Sequence, residues 1–193
     1  MPLPFSSEWR EARERERRVR AMVDGLRREP AEADVAWLAD AAANGDPDHA
    51  RWELRYARAA LGLIVAQRDA LDDRTAAELT AGYLGSLASD PHIAVDLREL
   101  AERQFDERLL AYREAMTLRG GTTQSADRVG RCLLAFASDG ARTAGAPLAY
   151  AIELLQRYAD ETAESLRATY GEAQLPEDVK PSVLRGITPG GPG

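Results

Sequence analysis

The stretch AALGLIVA, residues 59 to 66, leaves few folds open to this chain. It is an unbroken apolar run with a glycine at its middle, bounded closely by Arg58 and Gln67. A helix that spans a bilayer needs about 20 apolar residues, so this run is too short to cross one. Its flanks set its period. Trp52, Tyr56, Ala59, Leu63, Ala66 and Ala70 step by four and three, the spacing of a helix-bundle seam, while Leu54, Leu61, Ile64 and Val65 lie off that seam. A helix that is apolar on several sides has to be covered on several sides. Gly62 costs about 1 kcal/mol of helix propensity relative to alanine, so its central place predicts a neighbouring helix or bulky side chain packed close against it.

Helical periods fill the remaining chain, and no stretch has the alternating, β-branched pattern of a strand. The expected fold is all-α: a single-domain bundle of about seven helices, the third, fifth and seventh being long. Residues 1–29 read as a charged amphipathic N-terminal helix, 30–171 as the bundle core and 172–193 as a flexible Pro/Gly-rich tail. The first helix, Ser6 to about Arg28, has Ser6 or Ser7 as its cap and Phe5 placed to staple onto Trp9 or Arg10. Its middle carries opposite charges four apart, as in Arg10 with Glu14, Glu11 with Arg15 and Glu16 with Arg20.

A short second helix after Pro30 carries Val35, Trp37 and Leu38, and Asn44-Gly45-Asp46-Pro47 ends it with turn chemistry. The third runs from a cap at Asp46 or Asp48 to about Leu71. The fourth, capped by Asp72-Asp73, points Leu79, Tyr83, Leu84 and Leu87 inward. The fifth is expected from Pro91 to Arg119, with Ile93, Leu97, Leu100, Phe105, Leu109, Tyr112 and Met116 on one stripe and Gly120-Gly121 as its end. A loop, TTQS, leads to the sixth with Val129, Cys132, Leu133 and Phe136. The seventh runs from about Pro147 to a C-cap at Gly171.

Composition restricts the partners. A net charge of −7 and a pI near 5 argue against nucleic acid, whose phosphates call for clustered cations. The basic residues are almost all arginine, with Lys180 the single lysine. Cys132 is the only cysteine, and the residues before Glu8 have no apolar core of a signal peptide, so a cytoplasmic protein is expected, with no membrane partner.

No nucleophile elbow, Walker loop or dinucleotide-binding glycine pattern occurs. Arg51, Arg55 and Arg58 stack along one face of the third helix. Converging guanidiniums there can hold a phosphate or carboxylate, with Trp52 and Tyr56 at the mouth; otherwise the three pair with acids of a neighbour, for which the acid-rich fifth helix is the expected source. His49 and Glu53, four apart, make a weak metal or proton-transfer pair, and no helical di-metal motif accompanies them. Cys132 reads as an inert core thiol. Acids on the fifth helix (Glu99, Glu102, Asp106, Glu107) and the seventh (Glu153, Asp160, Glu161, Glu164) lie between apolar positions, as the solvated side of an amphipathic helix does.

The segment AWLADAAANGDPDHARWELRYA, residues 36 to 57, resembles one unit of the Sel1 or tetratricopeptide kind, in which paired small helices meet around Ala and Gly-Asp turns. No second copy follows at a fixed period, and such arrays need about three units to bury a core, so nothing is carried over from the likeness. The functional expectation is a non-enzymatic structural or protein-interaction module that self-associates, with no cofactor. The alternative is a bundle that binds a small anionic ligand, conceivably as an enzyme, beside the third helix.

Overall fold

A computed structural model of the chain describes residues 6–69, 73–118, 122–138 and 145–171. The expected all-α bundle is what it shows, with seven α-helices and no strand among the described residues: α1 Ser7–Leu26, α2 Glu32–Ala41, α3 Pro47–Asp69, α4 Asp73–Ala88, α5 Arg98–Thr117, α6 Thr122–Ala137 and α7 Ala146–Tyr170. Phe5, the Asp72 cap, the Gly120-Gly121 break and the tail lie outside the described residues. No helix is long and apolar enough to cross a membrane among those described.

Local chemistry places most ends. Ser6 caps α1, its hydroxyl accepting from the Trp9 N–H at 3.1 Å. Asp46 caps α3, one carboxylate oxygen accepting from the N–H groups of Asp48 and His49 at 2.9 and 3.0 Å. Between α2 and α3, Asn44 and Gly45 both take positive φ, 53° and 80°, and the Gly45 N–H returns to the Ala39 carbonyl. Asparagine and glycine are the residues that enter this left-handed region most readily. The repeat-like segment 36–57 is thus one pair of packed helices joined by a tight turn. α7 ends at Tyr170 with Gly171 behind it, as expected.

α3 is the axis of the bundle. Ala57, Ala59, Ala60, Leu61, Leu63, Ile64, Val65 and Ala66 are all buried, α7 makes the most extensive contact with it, and α1, α2, α4, α5 and α6 cover other sides. A β-carbon added at Gly62 would overlap the Leu26 side chain and stand 3.2 Å from the Thr162 hydroxyl, so the expected close approach is real and comes from α1 and α7 together. The first helix is therefore divided. Its C-terminal half buries Met22, Val23 and Leu26, while its N-terminal half is a solvated ladder in which Arg17 and Arg18 pair with Glu14, and Arg13 and Arg20 with Glu16.

The fifth helix starts later than its sequence implies. Pro91 to Ala94 form a turn, Val95–Leu97 a single 3-10 turn, and α5 begins at Arg98. Asp90 fixes this turn: it is almost fully buried, its carboxylate accepts from the His92 N–H at 2.9 Å, and Arg55 and Arg27 hold it at 2.6 and 3.4 Å. The inward stripe of α5 is consequently Ala101, Phe105, Arg108, Tyr112 and Ala115, whereas Leu97 and Leu100 are exposed. A second correction concerns TTQS: Thr122 to Ser125 are the first turn of α6 and not a loop.

Four tyrosines, Tyr56, Tyr83, Tyr112 and Tyr158, are at least 96% buried in this core. Burial disfavours their phenolates, pushing Tyr56 and Tyr158 up to about 12 and Tyr83 and Tyr112 well up as well. A folded-state value above the unfolded one, about 10, means that the stability is complete below pH 10 and is lost as the pH rises towards the folded values. One unit above 10, each phenol forfeits about 1.4 kcal/mol, and four together forfeit about 5 kcal/mol, as much as a marginal domain possesses. Helical circular dichroism and tyrosinate absorbance are expected to change together near pH 11. Smooth ionisation near pH 10 with the helices intact would show that the phenols are hydrated.

Candidate functional site

α3 carries all three arginines of the predicted stripe, and the structure sends them to three different places. Arg51 makes a forked pair with Glu32 of α2, at 2.8 and 3.2 Å, and lowers the pKa of that carboxyl by hydrogen bond and charge. Arg55 reaches Asp90 at 2.6 Å, with Glu29 at 3.6 Å, and lies over the Trp52 ring at 4.2 Å. Arg58 donates to Glu161 of α7 at 2.5 Å, and its guanidinium rests 3.9 Å above the Tyr158 ring. The guanidiniums do not converge. Their acids come from α2, the turn after α4 and α7, and not from the fifth helix that sequence reasoning proposed as the source.

Burial alone would raise the pKa of Asp90, but the His92 N–H and the Arg55 guanidinium outweigh it and hold the carboxyl below its ordinary value. The carboxylate is the anion that Arg55 and Arg27 share.

His49 and Glu53 also part company. His49 is exposed, with Nε2 at 3.3 Å from the Phe136 carbonyl oxygen. Glu53 turns inward and is 3% exposed, where Arg108 of α5 donates from Nη2 and Nε at 2.7 and 3.1 Å. The Arg108 guanidinium stands 4.5 Å from the Phe136 ring and 5.7 Å from that of Tyr56. Among the described residues no three His, Cys, Asp or Glu side chains are grouped to hold a metal ion. Cys132 is half-buried, its thiol pushed up by burial, and its Sγ lies 4.0 Å from the Ala111 carbonyl.

Two polar clusters escaped sequence reasoning. The Glu53–Arg108 pair is one. The other is Asp34 on the first turn of α2, buried, accepting from the Tyr150 hydroxyl at 2.9 Å and Arg157 at 2.7 Å, while the Trp37 ring packs 4.4 Å from that of Tyr150. A signal existed for Arg108: it falls three residues after Phe105 and four before Tyr112, on the apolar stripe itself. Charged residues on such a stripe need a partner across the interface.

Two openings remain, one apolar and one charged. A groove of about 150 Å³ lies where α3, α5 and the Pro91–Leu97 turn meet, with Trp52 and Tyr56 on one side, Leu97, Leu100 and Gln104 on the other, and His92 at its edge. A wide hollow of about 1110 Å³ beside the N-terminal half of α1 is lined by its alternating arginines and glutamates, with Thr75 and Tyr170. Trp52 and Tyr56 stand at the apolar groove and not at the mouth of a convergent arginine site. Its other wall is leucine, and only Arg55, against Trp52, approaches from the stripe. Compared with protein-family models, with curated proteins and with solved structures, the chain gave no match.

Proposed function

We propose that this chain is a non-enzymatic protein-interaction module that associates with copies of itself. One observation carries the reading: Leu97 and Leu100 stand exposed together at the apolar groove between α3 and α5, and the other exposed large hydrophobic side chains among the described residues, Val95, Leu110 and Leu118, lie on the turn before α5, on α5 and just past its end. Isolated apolar side chains are ordinary on a surface, but a contiguous patch marks an interaction site. Supporting it, the buried carboxylates Asp34, Glu53 and Asp90 are all met by guanidiniums of the same chain, so none of them waits for a substrate.

Mass action gives the test. A self-associating fold is stabilised by its own concentration, and a ligand-binding fold by its ligand. The melting temperature of the full chain is expected to rise with protein concentration and to stay put on addition of phosphate or citrate. A monomer at every concentration in sedimentation equilibrium would remove the proposal, and a melting temperature that answers to the anions alone would favour a ligand site instead.

A further inference from the structure

We infer that the segment following α7, residues 172–179, lies along the projecting N-terminal half of α1 in the same chain, with Glu172 paired to Arg15. This contact is a strap within one chain and does not depend on self-association. Three observations lead to it.

First, α1 outruns the helices it rests on. Gly62 has Leu26 and Thr162 beside it, which sets residue 26 of α1 level with residue 62 of α3 and residue 162 of α7. α3 and α7 run in the same direction, since Arg58 lies over Tyr158 four residues before that level. α1 runs against both, because Tyr170 at the end of α7 lines the hollow beside the N-terminal half of α1. Counting the same rise along each helix, Tyr170 ends level with about Arg18, and Asp69, the end of α3, with about Val19. Residues 7–17 of α1, about 17 Å of helix, therefore project past both. Among the described residues only the start of α4, through Thr75, flanks them.

Second, the inward stripe of α1 goes on after its cover ends. Leu26, Met22 and Val19 step back by four and three, and one step of four further is Arg15. Arg15 is half-buried, whereas Arg13, Arg17 and Arg18 are exposed. Glu14 and Glu16 each hold two arginines, and Arg15 has no ion pair among the described residues, although Glu11 precedes it by four. A cation on the inward side of a helix calls for a carboxylate from the element it faces. α7 stops short of supplying one, and the second residue after its end is Glu172.

Third, reach and charge suit this occupant. Gly171, with φ 86°, takes the chain out of α7. An extended residue advances about 3.3 Å, so Glu172 comes level with Arg15, and the eight residues 172–179 span about 26 Å, more than the projecting half of α1 requires. Pro176 favours an extended backbone at Leu175 before it. The segment, EAQLPEDV, holds three acids and no base. Six arginines and three glutamates of α1 line the hollow beside it, in a chain whose net charge is −7. Opposite charge selects this segment for this surface, and its tether at Gly171 holds it close by.

Amide hydrogen exchange of the full chain is the test. A short stretch of helix with little beside it opens readily, so the amides of residues 10–16 report whether the segment is docked. Arg15→Glu and Glu172→Arg are each expected to lower their protection about threefold, the size expected of a partly exposed ion pair, and the two changes together are expected to restore it. Single variants that leave the protection unchanged would overturn the docking, and a loss in both that the double variant does not recover would overturn the pair. A nitroxide attached at Leu175→Cys, in a Cys132→Ser chain, is expected to broaden the α1 amides of the chain that carries it. Broadening confined to an isotopically labelled chain mixed with the spin-labelled one would place the segment on a second copy and overturn the strap.

Discussion

Glu53→Ala is expected to destabilise the fold by about 3–5 kcal/mol, the usual penalty when one partner of a buried ion pair is removed and the other charge is stranded. The magnitude follows from what Arg108 has left. The residue is 7% exposed, and its guanidinium lies against Phe136 and Tyr56 and keeps only the Gln104 carbonyl and Glu107, both at 3.3 Å. Glu107 is largely in solvent, and an exposed partner contributes little. Glu53→Gln retains one acceptor and is expected to lose less. The paired change Glu53→Leu with Arg108→Leu removes both desolvation penalties and is expected to recover most of the loss, because the fold needs the two charges to match more than it needs them to be there. Urea unfolding of the four proteins measures this directly. A loss below about 1 kcal/mol in Glu53→Ala would mean that water reaches Arg108 and that α3 and α5 are not sealed along this line.

Gly62→Leu is the second large effect, expected at about 3 kcal/mol or more, at the upper end of the range for overpacking. The space beside Gly62 is occupied by Leu26 and Thr162, and the void lined by Arg58, Leu26 and Thr162 measures only about 10 Å³, too small to receive a displaced methyl group. Gly62→Ala already sets its β-carbon on the Leu26 methyl, so it is expected to lose part of this stability, offset by about 1 kcal/mol of regained helix propensity. Leu26→Ala alone should cost about 2–5 kcal/mol through the cavity it opens. Combined with Gly62→Leu it should cost far less, since each change supplies what the other lacks, and thermal unfolding of the double-mutant cycle reads that coupling. If Gly62→Leu melts with the parent, α1 is not seated in α3 at all.

How much of this was legible in the letters depends on the range of the forces involved. The breaks at Asn44-Gly45 and Gly171 and the Ser6 and Asp46 caps are local events, decided by residues a few positions apart, and the sequence displays both members of each. The all-round burial of α3 was legible for a related reason, since Leu61, Ile64 and Val65 exceed what one seam can hide. The phase of α5 was not. Leu100 lies about 140° around α5 from Phe105 wherever the helix begins, and Leu97 is placed by a 3-10 turn that follows Asp90, which Arg27 and Arg55 hold. The polar pairings were hidden in the same way. Arg51, Arg55 and Arg58 form a conspicuous stripe in the sequence, yet their acids come from separate elements, and the most buried pair, Glu53 with Arg108, joins a residue read as a weak metal candidate to an arginine 55 positions away. The apolar groove with Trp52 and Tyr56 at its wall was not legible, because one part of its rim, Leu97, is placed by the 3-10 turn before α5.

The position of α3 has a consequence for the chain while it is being made. α3 emerges from a ribosome about eighty residues before α7 begins, which at about 5–20 residues per second is a wait of several seconds to some fifteen seconds. Through that interval Leu61, Ile64 and Val65 have α1 and α2 for cover and gain α4, α5 and α6 only as these emerge, while α7, the helix in most extensive contact with α3, does not yet exist. Such a segment is what a nascent-chain chaperone binds, so the helix that organises the finished protein is also the one most exposed during its synthesis.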